Sequence, residues 1–150
     1  MHGHPNVVQY LLEQSADKEA RTNHGSTPLH VSAINGHLNM VQFLVEQGTD
    51  KEARKNNRRT PLYISVIVNE FRIAVQYLVQ QGADITTCDN DKKIRHPLKY
   101  AVECNFTHIA EFLVQQERFQ LLVVHDIREL LTRLGLYSVE RNAILSMLQT

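Results

Sequence analysis

The sequence predicts an all-α solenoid, a single row of stacked helix pairs, and three observations carry that prediction. Residues 4–23, HPNVVQYLLEQSADKEARTN, lie over residues 37–56, HLNMVQFLVEQGTDKEARKN, with 13 identities in 20 positions, no gap and an offset of 33. A fixed period of about 20 to 50 residues marks a repeat array. Within each period apolar residues recur at i, i+3 and i+4, as at Val41, Leu44 and Val45, the spacing of one helix face. Thr-Pro pairs stand where such helices would begin and single glycines where they would end, which matches helix start and stop chemistry.

Taken in order, residues 3–23 are a partial unit with one helix, carried by Val8, Leu11 and Leu12. Its missing partner leaves the helix bearing Val7, Val8, Leu11 and Leu12 open to water on one side, so a fragment of a longer array with repeats upstream is expected. Residues 24–56 form a full unit. Thr27 caps its first helix with Pro28 at the first helical position, Gly36 ends it, Val41, Leu44 and Val45 stripe the second, and Gly48 stops that one. Residues 57–90 repeat the scheme with Thr60-Pro61-Leu62-Tyr63, then Val75, Leu78 and Val79, then Gly82, with Asn69 in the role of Gly36. Residues 91–117 are divergent. His96-Pro97-Leu98-Lys99 follows after a step of 36 rather than 33, the extra residues being placed before Asn69 or Glu70 and between Gly82 and His96, in loops where insertion costs little. Asn105 ends the first helix of that unit and Ala110, Leu113 and Val114 stripe the second. Residues 118–150 are expected to be a helical cap: Asp126 and Glu129 have capping-box spacing, Leu130, Leu131 and Leu134 form a face, Gly135 is a stop, and Ser138 caps a last helix.

Thr27-Pro28-Leu29-His30, Gly36-His37, Thr60-Pro61-Leu62 and Gly82-Ala83-Asp84 resemble the signature of the ankyrin repeat family. The resemblance implies an L-shaped stack of helix pairs with β-hairpin loops projecting to one side, a hydrogen bond from His30 to the backbone of a neighbouring unit, and a function of binding other proteins. Several positions depart from the signature. Tyr63 and Lys99 replace its histidine, His96 its threonine, Ser15 and Glu117 its glycine, and Lys18 and Lys51 an apolar loop residue.

Composition narrows the chemistry. Sixteen basic and sixteen acidic residues give a formal net charge of 0, so there is no global field to hold nucleic acid or an anionic membrane. The longest aliphatic run, Leu121 to Val124, is far short of the roughly 20 residues that cross a bilayer. Met1-His2-Gly3-His4 has neither a basic leader nor an apolar stretch, so secretion is not expected. Cys88 and Cys104 lack CxxC spacing, which favours a reducing, intracellular setting in cytoplasm or nucleus. None of the eight histidines stands in an HxxxH or HExxH spacing, and the six glycines are scattered singly, so neither a metal, a nucleotide nor any other cofactor is expected. Asp17 with Glu19 and Asp50 with Glu52 read as solvated loop residues beside Lys and Arg rather than an acid/base pair. The chain is read as non-enzymatic and monomeric.

Lys51, Arg54, Lys55, Arg58 and Arg59 crowd one loop and Lys92, Lys93 and Arg95 the next, so stacking would align them as a positive ridge suited to an acidic protein segment. Nucleic acid is the competing ligand, although these loops lack the aromatic residues that stack on bases; a third reading is a fragment of a larger scaffold or effector whose activity lies elsewhere. By the family resemblance, partner contacts fall on loop tips and the exposed side of the first helices: Asn23, His24, Ser26, Ile34, Asn35, Arg54, Asn56, Asn57, Arg58, Arg59, Ile67, Val68, Lys92, Lys93, Arg95, Glu103 and Cys104. Ile34, Ile67 and Val68 would be apolar anchors flanked by arginine. The expected function is a protein-interaction module that uses a concave groove and a basic hairpin edge.

Overall fold

The computed structural model describes residues 5–68, 72–89 and 96–116. Among them are seven helices, α1 (Pro5–Glu13), α2 (Pro28–Ile34), α3 (Leu38–Glu46), α4 (Pro61–Val68), α5 (Arg72–Gln80), α6 (Pro97–Glu103) and α7 (Thr107–Val114). They stack in two layers. α2 packs on α3 and α4, α4 on α5 and α6, and α6 on α7, while α1 touches α3, α3 touches α5 and α5 touches α7. First helices therefore line one layer and second helices the other, each against its counterpart in the next pair. A sequence that repeats its apolar stripe at constant offset can bury it only this way.

Helix starts follow the Thr-Pro chemistry and its substitute. Thr27 is extended, its hydroxyl accepts the His30 N–H, and Pro28 occupies the first turn. Thr60 Oγ1 accepts the Tyr63 N–H at 3.3 Å. At α6 an imidazole does the same work, His96 Nδ1 accepting the Lys99 N–H at 3.2 Å. The stops are equally regular. After α1, α3 and α5, the amides of Ala16, Thr49 and Ala83 reach back to the carbonyls of Leu11, Leu44 and Leu78 at 2.9, 3.2 and 2.9 Å, the C-terminal closure that needs a left-handed residue just before it. Gly48 and Gly82 supply that conformation, and Ser15 adopts it at φ 65° without being glycine. Between helices of a pair, Gly36 and Asn105 play the part.

The core is built from equivalent positions. Leu29, Leu62 and Leu98, each following a helix-starting proline, are fully buried, as are Val41 and Val75 and then Leu44, Leu78 and Leu113. Tyr63, Tyr100 and Phe106 extend it as a chain of tilted rings with centroids 5.9 and 6.2 Å apart. α1 is less covered than α3 when the two are compared at the 33-residue offset. Leu11 is 48% exposed where Leu44 is 0%, and Val7 is 55% exposed where Met40 is 5%. Leu11 and Leu44 are the same residue, so what differs is the neighbour that covers them.

The projecting loops correct one expectation. No described residue is in a β-strand; the two loops described to their tips, 16–27 and 49–60, are each two successive tight turns. The inner turn is closed by Ala20 N–H to Asp17 C=O at 3.2 Å and the tip turn by Gly25 N–H to Thr22 C=O at 2.8 Å, with Thr22 N–H to Ser26 C=O at 3.0 Å between the arms. The next loop repeats this with Ala53 to Asp50 at 3.3 Å, Arg58 to Lys55 at 2.8 Å and Lys55 to Arg59 at 3.1 Å. One bond between two short arms does not make a ladder. The expected residues Asn69, Glu70, Lys92, Lys93, Arg95 and Glu117 and the cap at 118–150 lie outside the described residues.

Candidate functional site

The loops are tied to one another by their acids. Asp17, Asp50 and Asp84 each accept, through Oδ1, the amide two residues on, at 2.8, 2.9 and 2.8 Å, which fixes the inner turns. Glu19 Oε1 then accepts the Asp50 N–H, and Glu52 Oε1 the Asp84 N–H, both at 2.8 Å. These carboxylates were expected to be a solvated mixed-charge surface. Asp17 and Asp50 are exposed, and the glutamates add a rail of charge-assisted bonds from loop to loop, because stacking brings each glutamate under the next turn's orphan amide.

The tips are strapped as well. Arg21 Nη1 donates to the Arg54 carbonyl at 2.8 Å and to that of Gly25 at 3.3 Å. Asn56 donates its backbone N–H to the His24 carbonyl at 3.2 Å and its Nδ2 to that of Asn23 at 3.1 Å. Gly25 makes this close approach feasible. It sits at φ 73°, and a Cβ there would lie 2.6 Å from Asn56 Oδ1. Arg58 occupies the equivalent place one loop on, with φ 63°, a conformation that costs a non-glycine residue about 1 to 2 kcal/mol.

Behind the tips, two buried side chains anchor the first helices to the following loops. His30 Nδ1 accepts the Thr27 N–H at 3.2 Å, and Nε2 faces the Arg59 carbonyl at 3.0 Å. A carbonyl can only accept, so Nε2 carries the proton and the ring is neutral. Burial pushes the His30 pKa down to about 4; the Arg59 carbonyl opposes this, and Lys55 and Arg21 reinforce it. One unit on, Tyr63 OH donates to Asp89 Oδ2 at 2.9 Å. Arg59 also reaches Asp89 Oδ2 at 3.3 Å and lies 5.6 Å from the centre of the Tyr63 ring. Arg59 thus joins successive anchors, its carbonyl to His30 and its guanidinium to Asp89.

Of the residues expected to meet a partner, Asn23, His24, Ile34, Asn35, Arg54, Asn56, Asn57 and Arg58 are exposed, and Ser26, Arg59, Ile67, Val68, Glu103 and Cys104 are half-buried. The structure brings Asn23 and His24 against Asn56, and turns Arg59 inward to Asp89. The Asn35 amide donates to the Val31 carbonyl at 2.8 Å. Arg21 escaped the sequence reading, Glu19 and Glu52 were read only as solvated loop residues, and Asp89 was not singled out. The first three had a usable signal, since Asp-Lys-Glu-Ala-Arg stands unchanged in both copies, at 17–21 and 50–54; Asp89 had none.

Among the described residues no group of three or more His, Cys, Asp or Glu could hold a metal, and no described helix is long and apolar enough to cross a membrane. Burial raises the pKa of the Cys88 thiol, Asp89 adding to the effect while Arg58 and Arg54 oppose it, the reverse of a reactive cysteine. Among known proteins, a family model described as ankyrin repeats (3 copies) matches residues 1–55 and 50–122. No curated protein matches the chain.

Proposed function

The chain belongs to the ankyrin-repeat family, whose members are generally protein-interaction modules and typically lack catalysis, and on that premise we propose that it binds a partner protein through the groove of its first helices and its basic loop edge. The observation that supports this most is the strapping of successive loops. Arg21 to Arg54, Asn56 to Asn23 and His24, and Glu19 to Asp50 hold side chains from different units in one fixed array. A preorganised array loses little ordering entropy when it binds. Ile34 and Asn35 at the end of α2, Ile67 and Val68 at the end of α4, and Glu103 and Cys104 at the end of α6 supply the groove side of the contact. Arg54 and Arg58 supply the edge. In this reading the protein works as an intracellular monomer and needs no cofactor.

The test is affinity capture with the full chain, followed by comparison of wild type with Ile34→Asp and with Arg54→Glu/Arg58→Glu for each captured partner. A partner lost at least tenfold by Ile34→Asp, with helicity unchanged by circular dichroism, supports the groove. Capture that neither substitution alters would remove the proposal.

A further inference from the structure

The loop edge carries two rows of opposite charge, which the net charge of 0 conceals. Inner turns hold Asp17, Glu19, Asp50, Glu52 and Asp84, with Lys18 and Lys51 between them; the tip side holds Arg21, Arg54, Lys55, Arg58 and Arg59. Asp89 is the one carboxylate on the tip side among the described residues, and it is buried under Tyr63 and Arg59. The separation of the rows is a consequence of folding. Each inner acid is turned toward backbone amides, while Arg54 and Arg58 are exposed.

Resting on the protein-binding reading above, we propose that this edge recognises a charge-patterned peptide segment: an acidic stretch over the tips, flanked by basic residues over the inner turns. A uniform polyanion fits less well. Its continuous charge would lie over the inner carboxylates as well as the arginines, and residues 17–27, 50–60 and 84–89 contain no Phe, Tyr or Trp on which bases could stack.

Fluorescence anisotropy with the full chain tests this, using three labelled probes at low and physiological salt: a peptide with a Glu/Asp centre and Lys flanks, an oligoglutamate of equal length, and an oligothymidylate. The patterned peptide is expected to bind tightest. Arg54→Glu/Arg58→Glu should weaken it about tenfold or more, and Arg54→Gln/Arg58→Gln should weaken it less but in the same direction, both with wild-type circular dichroism. Equal or tighter binding of oligoglutamate, tighter binding of oligothymidylate, no peptide binding at low salt, or indifference to both double substitutions would each overturn the proposal. Partner loss on Ile34→Asp reads the groove independently. If that loss is seen while the peptide ranking fails, protein binding stands and only the charge-patterned segment falls.

Discussion

His30 and Tyr63 solve one problem with different atoms. Each stands fourth in a Thr-Pro-Leu-X run and ties its helix to a loop more than two dozen residues onward, the imidazole through the Arg59 carbonyl and the longer phenol through the Asp89 carboxylate. The histidine makes the fold sensitive to pH. Its folded pKa of about 4 lies below the ordinary 6.5, so the unfolded chain takes up the proton first. The stability it contributes is full above pH 6.5 and is lost as pH falls toward 4, by up to about 3 kcal/mol. Urea titrations of wild type and His30→Gln across that range should show the dependence in the first and a smaller one in the second. Tyr63→Phe should cost about 1 to 3 kcal/mol at neutral pH, because it deprives a buried carboxylate of a donor; an unchanged melting curve would show that the anchor carries no weight. Arg58→Gly should stabilise the fold by about 1 kcal/mol by relieving its positive φ, measured in the same way.

At the scale of the element, helix starts depend on which atom can cap and hardly at all on which residue supplies it. Thr27, Thr60 and His96 all present an acceptor to the amide three residues on. Thr60→Ala should therefore cost about 1 kcal/mol, and His96→Ala a similar amount, each read by thermal melting. Helix positions were legible from Thr-Pro, single glycines and the i, i+3, i+4 stripe because these are local signals. The loops were less legible. Their bonds run to partners about 30 residues away, and a carboxylate beside a lysine reads as surface whether or not the fold sets an amide beneath it. Glu19 and Glu52 show this most plainly, and Arg59 shows it for the basic cluster: it was grouped with Arg58 by sequence and parted from it by Asp89.

Across the whole molecule, stability is the sum of what each pair buries against the next. Leu44→Ala should cost about 2 to 5 kcal/mol, whereas the same change at Leu11, which is 48% exposed, should cost well under half as much. Hydrogen exchange should follow the same gradient, with amides of α4 protected most and those of α1 least. Comparable protection in α1 and α4 would mean that the open end is covered in solution.

The sequence by itself determined the repeat, its period, the helix pairs and the family, since all are written in residue types at fixed spacing. Only the tertiary structure decided that Asp89 pairs with Tyr63 and Arg59, that the inner acids rail the loops together, and that acidic and basic residues interleaved along the chain become two separate rows. Those outcomes depend on which backbone amide or side chain stacking places beside each charge, and no spacing within one unit encodes the position of the next.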